Sequence, residues 1–276
     1  MIRILRSGDE AALESFLAPR ADTSMFLRSN ARRAGLKDQG RPLQATYAAA
    51  FGPEGISAVA AHCWNGFLLV QAPEQLREVT RAALSASGRA LKGISGPADQ
   101  VRAARDAIGI RRSSLDDAEL LYSLDLNRLR VPPLLSTLTF RRPRDADLPG
   151  LILWREQYLV ETGLAAPGPD LHAAARSGIE LLQAQGDQWL LEDAGAPVSY
   201  TAFNARLPDV VQVGGVWTPP GLRGRGYARC AVAGSLLEAR AGGARRAILF
   251  TGSAQAARAY EALGFERSGD YGLLIL

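Results

Sequence analysis

Histidine and cysteine are almost missing from this chain. His62 and His172 are the only histidines, and Cys63 and Cys230 the only cysteines, one in each half. The cysteines lack metal-ligand spacing and read as buried free thiols. Neither histidine lies near the glycine-rich segment discussed below. A zinc centre or a histidine-activated nucleophile is therefore not expected, and no metal enters the reading. Lysine is nearly missing too, with Lys37 and Lys92 the only two among 32 basic residues. The aromatic residues do not interleave with the arginines as a single-strand-binding groove requires, which argues against nucleic acid as a partner. No apolar run approaches membrane-spanning length, so no membrane partner is expected. The start, Met1 to Arg6, is too short and too interrupted for a signal peptide, which points to the cytoplasm.

The 276 residues, 47% hydrophobic and 22% charged, suit a globular protein long enough for two domains. In the first half, strands are expected at Ile2 to Leu5, Leu43 to Phe51, Ile56 to Cys63, Phe67 to Gln71, Ala90 to Ile94 and Leu120 to Leu126. Asn65-Gly66 between two of them is a tight-turn signal. Helices are expected over Ala11 to Leu17 with Asp9 as cap, Thr23 to Ala34, Glu74 to Ala86 and Ala98 to Ile108. Paired prolines in Arg130 to Leu135 mark a linker. The second half repeats the order. A strand begins at Leu138, and helices run from Asp145 to Glu161 and from Asp170 to Gln185. Strands then cover Gln188 to Glu192, Pro197 to Asn204, Val210 to Trp217 and Ala247 to Thr251, with a helix at Ala254 to Leu263 and a last strand at Tyr271 to Leu276. A duplicated α/β (α+β) fold is the economical inference.

One stretch in the second half carries the chemistry. Val210 to Trp217 is rich in β-branched residues around Gly214 and Gly215, the composition of a strand with a bulge. Pro219 and Pro220 stop it, and from Gly226 an apolar face recurs at Cys230, Ala233, Leu237 and Ala241, as in a helix. Gly221, Gly224 and Gly226 would let an anion reach the unpaired amides and positive dipole end of that helix, with Arg223 and Arg225 adding charge. Arg229 stands where the third glycine of a dinucleotide fingerprint belongs, and no Walker lysine follows. The spacing present is Arg-x-x-Gly-x-Ala, at Arg223, Gly226 and Ala228.

This loop resembles the pyrophosphate loop of the GNAT superfamily of acyl-CoA-dependent N-acyltransferases. Ala256 to Phe265, a short helix ending in Tyr260-x-x-x-Gly264-Phe265, resembles the family's C-terminal signature. The resemblance implies two GNAT-like domains, each a mixed, mostly antiparallel twisted sheet flanked by helices, over residues 1–130 and 136–276. A splayed central strand pair is implied in the second. Where that domain has its loop, the first has Leu69 to Glu78, without glycine and with Glu74 and Glu78 in place of positive charge. The first domain is thus expected to be a degenerate copy that does not bind CoA.

The implied activity is N-acetyl transfer from acetyl-CoA, as co-substrate, to a small-molecule or peptide amine by direct attack. Backbone groups of Val216, Trp217 and Thr218 would pair with the pantetheine arm, and those of Arg223, Gly224, Arg225, Gly226, Tyr227 and Ala228 would bind the pyrophosphate. Tyr260 would protonate the departing thiolate. Trp154, Tyr158 and Glu161 share one helical face, and Glu161 is the candidate for holding the amine. Two positions depart from the family pattern. Ser253 replaces the usual asparagine seven residues before the tyrosine, and Gln212 fills a strand position where some members place a glutamate base. These departures keep open a non-catalytic acyl-CoA-binding regulatory module, while the tandem arrangement keeps open an aminoacyl or peptidyl transferase.

Overall fold

The computed structural model describes residues 1–276, and the chain divides into two compact units. The first comprises Met1–Leu121 together with Ser268–Leu276, and the second Tyr122–Arg267. Each is built on a mixed, mostly antiparallel sheet.

In the first unit the elements are β1 (Ile2–Ile4), α1 (Glu10–Leu17), α2 (Ala21–Ala34), β2 (Ala45–Gly52), β3 (Gly55–Cys63), β4 (Phe67–Gln71), α3 (Leu76–Ser87), β5 (Gly93–Pro97), α4 (Ala98–Ala107) and most of β6 (Leu115–Asp125). Strands β1 to β4 are antiparallel neighbours in order, and β4 pairs with β5 in parallel. Side chains alternate across the pleat, so period two sorts the core into layers. Tyr47, Ala49, Val59 and Ala61 pack with Leu13, Phe16, Leu17 and Leu27 of α1 and α2. Ala48, Ala50, Ala58 and Ala60 pack with Val79 and Ala83 of α3 and Val101 and Ala104 of α4. Expected Cys63 is a buried free thiol, its pKa pushed up to about 12 by burial. Asp9 precedes α1 as expected but makes no side-chain cap; its carboxylate takes both terminal nitrogens of Arg3 at 2.7 Å instead.

The second unit runs through β7 (Thr139–Arg141), α5 (Leu148–Glu161), α6 (Leu171–Gln185), β8 (Gln188–Asp193), β9 (Ala196–Arg206), β10 (Val210–Trp217), α7 (Tyr227–Ala241), β11 (Arg246–Thr251) and α8 (Ala254–Glu261). Strands β7 to β10 are antiparallel neighbours, and β10 pairs with β11 in parallel. The β8–β9 register shifts so that Val198 is an extra residue on β9. That flips the alternation. Val198 packs with Tyr227, Cys230 and Ala231 of α7, while Tyr200 and Ala202 pack with Leu151, Ile152 and Leu159 of α5 and Ala175, Ile179 and Leu182 of α6.

The last strand, β12, runs Glu266–Ile275, longer than the expected Tyr271 to Leu276. Its residues 271–275 pair antiparallel with β5, so the closing segment lies in the first unit, although the resemblance grouped it with residues 136–276. Backbone pairing, which sequence composition does not encode, decides that membership. β5 itself is displaced from the expected Ala90 to Ile94, because Ser95-Gly96-Pro97 has turn composition yet continues the strand. A Cβ on Gly96 would stand 2.5 Å from the Val70 carbonyl oxygen, so glycine permits the two backbones to stay close there. β6 starts earlier than the expected Leu120, at Leu115, because Asp116, Asp117 and Glu119 hide an exposed strand segment behind polar composition.

His62 on β3 is fully buried, its Nδ1 2.5 Å from Ser87 Oγ, while Arg89 joins Asp38 and donates to the His62 carbonyl at 2.8 Å. Burial lowers the ring's pKa most; a bond with the Gly66 backbone and the Asp38 charge raise it, and the Arg89 charge lowers it. The unfolded chain takes up this proton near about pH 6.5, before the folded one does, so stability falls as pH drops below that value and levels once the native ring protonates. Melting temperature measured from about pH 7.5 to 5 should show this loss in the wild type and a flatter profile in His62→Gln. Superimposable profiles would assign the loss elsewhere.

Candidate functional site

The parallel pairing of β10 with β11 covers Val210, Val211 and Gln212 against Arg246, Ala247 and Ile248, and there it stops. Both strands continue, to Trp217 and Thr251, no longer paired with each other. The sheet therefore opens into a V whose apex is Gln212. This residue is buried, and its Nε2 donates to the Val213 carbonyl at 2.7 Å, satisfying a strand group just past the point of separation.

Two irregularities bend the released arm. Between Gln212 opposite Ala205 and Val213 opposite Phe203, β9 has an extra residue, Asn204. Between Gly214 opposite Ala202 and Trp217 opposite Tyr200, β10 sets Gly215 and Val216 against one residue, Thr201. Gly215 has φ +62°, the left-handed first position of a glycine bulge. The expected bulge and splay are both present. Val216 is half-buried and Trp217 buried. Beyond them Thr218 is held by Ser199, whose Oγ lies 2.9 Å from Thr218 Oγ1 and donates to the Trp217 carbonyl at 3.0 Å.

The loop then turns through a short 3-10 segment at Pro220–Leu222 and enters α7 at Gly226. Gly224 and Gly226 have φ of +79° and +85°, so the loop's path depends on glycine conformational freedom. No side chain caps α7, and its first own hydrogen bond runs from the Cys230 amide to the Gly226 carbonyl at 3.1 Å. The amides of Tyr227, Ala228 and Arg229 thus lack helical carbonyl partners and form a donor set at the positive end of the helix. Arg225 reaches back to the Gly221 carbonyl at 3.4 Å. Tyr227 turns its ring into the core and its hydroxyl to Asp193, which with burial holds the phenol pKa up. Only its backbone belongs to the loop surface.

Arg223 is anchored at three points. Its Nε donates to the Thr218 carbonyl at 3.0 Å, its Nη2 reaches Glu161 at 2.9 Å, and its guanidinium lies 4.8 Å from the Trp217 ring centroid. Glu161, at the exposed end of α5, is thereby occupied by the loop. Trp217 meets Tyr158 edge-on at 6.4 Å, so one connected wall links loop, strand arm and α5. On the other arm, Ser253 caps α8, its Oγ accepting from the Ala256 amide at 3.3 Å. That capping bond occupies the side chain at the position where the family has asparagine. Tyr260 stands half-buried on α8, edge-on to Phe265 at 6.1 Å.

Residues 151–265 match the model of the Acetyltransferase (GNAT) family. The second unit carries a GNAT-family domain. No curated protein matches the sequence. Among solved structures, a GCN5-related N-acetyltransferase from Kribbella flavida aligns with TM-score 0.60 at 20% identity, over 94% of this chain and 95% of that one. A tandem GNAT protein from the clavulanic acid biosynthesis pathway aligns with TM-score 0.59 at 13% identity, over 100% and 98%. A GCN5-related N-acetyltransferase from Sphaerobacter thermophilus gives 0.58 at 14%, over 99% and 94%. At these identities the likeness shows the GNAT fold alone. Family and fold together support acyl transfer. No helix is long and apolar enough to cross a membrane.

In the first unit β4 and β5 also pair over three positions, ending at Leu69 opposite Ser95, but Gly96 stays close to the Val70 carbonyl beyond them, and the Ala72 amide after β4 is taken by Gln100 Oε1 at 2.6 Å. Helix α3 opens at Leu76 with Glu78 in its first turn.

Ser199 carries no signal in the sequence, because its partners Trp217 and Thr218 are remote in the chain. Ser199→Ala removes a buried hydroxyl serving two groups at the start of the loop. It should destabilise the protein by about 1–3 kcal/mol in urea unfolding. An unchanged midpoint would show that Thr218 and the Trp217 carbonyl find other partners.

Proposed function

We propose that the second unit is an N-acyltransferase that moves an acetyl group from acetyl-CoA to an amine by direct attack. The observation that carries this reading is the juxtaposition of an opened strand pair with an uncapped, glycine-preceded helix start. The V leaves unpaired backbone on β10 where a pantetheine arm can add as a strand partner through Val216 to Thr218. The amides from Arg223 to Ala228 suit a pyrophosphate, and glycine at 224 and 226 supplies the positive φ their arrangement needs.

Bound acetyl-CoA brings an already activated thioester, so the protein's task is orientation and proton movement. The amine nitrogen attacks the thioester carbon and the carbon–sulfur bond breaks. Tyr260, on the helix that follows the β11 arm, gives its proton to the departing thiolate; the nitrogen loses one proton to water, and the Tyr260 phenolate regains one from water. A phenol's reference pKa of about 10 exceeds a thiol's of about 8.5, so this transfer depends on close hydrogen-bond geometry. Glu161, engaged by Arg223, holds the loop in this proposal rather than the substrate amine. The first unit, which has no glycine between β4 and α3 and carries Glu78 in the first turn of that helix, is assigned no CoA site.

Two measurements test the reading. Isothermal titration of acetyl-CoA should give binding to the wild type and its loss in Gly226→Glu, with Gly226→Ala separating backbone strain from charge. Absence of binding to the wild type would remove the proposal. In a thiol-release assay, Tyr260→Phe should lower turnover by about 10²- to 10⁴-fold with acetyl-CoA affinity retained. An unchanged turnover number would exclude Tyr260 as the acid.

A further inference from the structure

Arg155 on α5 makes no hydrogen bond and no ion pair. It is half-buried, and its Nε is sealed from solvent without a partner. The guanidinium lies 4.9 Å from the Tyr158 ring centroid. It passes between glycines of two other elements, since a Cβ on Gly178 of α6 would lie 3.7 Å from Nε and one on Gly215 of the β10 bulge 3.5 Å from Nη1. Neighbouring carboxylates are already committed. Glu156 bonds His172 Nδ1 at 2.6 Å, Glu161 bonds Arg223 at 2.9 Å, and Glu180 faces Arg176 at 3.5 Å. Trp217, whose ring meets Tyr158, carries a second buried donor without a partner at Nε1.

A partly desolvated guanidinium without an anion is unfavourable, and one aromatic face offsets only part of that. A buried donor left unmade needs a reason. Glycines of two other elements border this one at ordinary contact distance, at the bulge where the released arm of β10 begins. The missing partner is thus an anion that arrives with a ligand, and a planar carboxylate matches the guanidinium fork.

We propose that Arg155 binds a carboxylate of the substrate beside the Gly215 bulge, so that the acceptor is an amino acid or another amine with a carboxylate close to its nitrogen. This rests on the acyl-transfer reading above and narrows its acceptor class. A carboxylate on the acyl group of the donor would offer the same chemistry, and the experiment separates the two.

Thiol release is measured with acetyl-CoA and matched acceptor pairs, phenylalanine against phenylalaninamide, glutamate against isoglutamine and β-alanine against β-alaninamide. Succinyl-CoA against acetyl-CoA forms a second arm. The wild type should favour the acid of at least one pair by about 10- to 100-fold in kcat/KM, the range of one charge-assisted bond. Arg155→Met should abolish that preference through KM and leave acetyl-CoA affinity by titration unchanged, and Arg155→Lys should keep part of it. Should Arg155→Met not fold, the wild type and Arg155→Lys decide the matter. Equal use of acid and amide, or no turnover of any pair by protein that binds acetyl-CoA, overturns the proposal. A preference for succinyl-CoA lost in Arg155→Met moves the carboxylate to the donor and overturns the acceptor assignment. Failure of the wild type to bind acetyl-CoA strikes the acyl-transfer reading itself, a separate result.

Discussion

The separation of β10 from β11 after Gln212 and Ile248 is the constraint on which the second unit turns. A sheet normally keeps its strands hydrogen-bonded, and leaving backbone groups unpaired is unfavourable unless something else meets them. Here Gln212 fills the apex, the Asn204 and Gly215–Val216 irregularities turn the arm away, and Ser199 fixes its far end through Trp217 and Thr218. The loop and the start of α7 follow from where that arm ends. In the first unit Gly96 of the equivalent strand lies close to the Val70 carbonyl, and the Ala72 amide after β4 is satisfied internally by Gln100.

Charge is arranged around this opening with economy. Arg223 is neutralised by Glu161 and rests on Trp217, while Arg225 reaches the Gly221 carbonyl and the Tyr227 phenol and Arg155 reaches no acid. Arg225 and Arg155, both without carboxylate partners, lie at the loop and at the bulge, the two ends of one arm. Such placement favours anionic groups at both ends of a bound assembly and leaves the centre to backbone pairing.

What was legible in the sequence is what is local. β-branched residues, the paired prolines and the glycines before a helical apolar face located β10, its loop and α7 closely, because each signal acts within a few residues of itself. Helical periodicity grouped Trp154, Tyr158 and Glu161, yet it gave no sign that Glu161 meets a loop arginine 62 positions later. Arg155 falls outside that stripe and reads as a solvated charge until the bulge and α6 are set beside it. Gln212 looked like a missing base, whereas in the structure it is a backbone cap. The closing strand was legible as a strand, but its pairing with β5 depends on a neighbour far away in the chain.

That pairing makes the first unit discontinuous in sequence. During synthesis β5 emerges with one edge bare, and its neighbour β12 is not made until all of Tyr122–Arg267 has been translated. An unpaired strand edge is a template for wrong partners, and long-range pairing slows folding. The second unit has all of its residues before the first unit does, so the unit that begins the chain is the last to be completed.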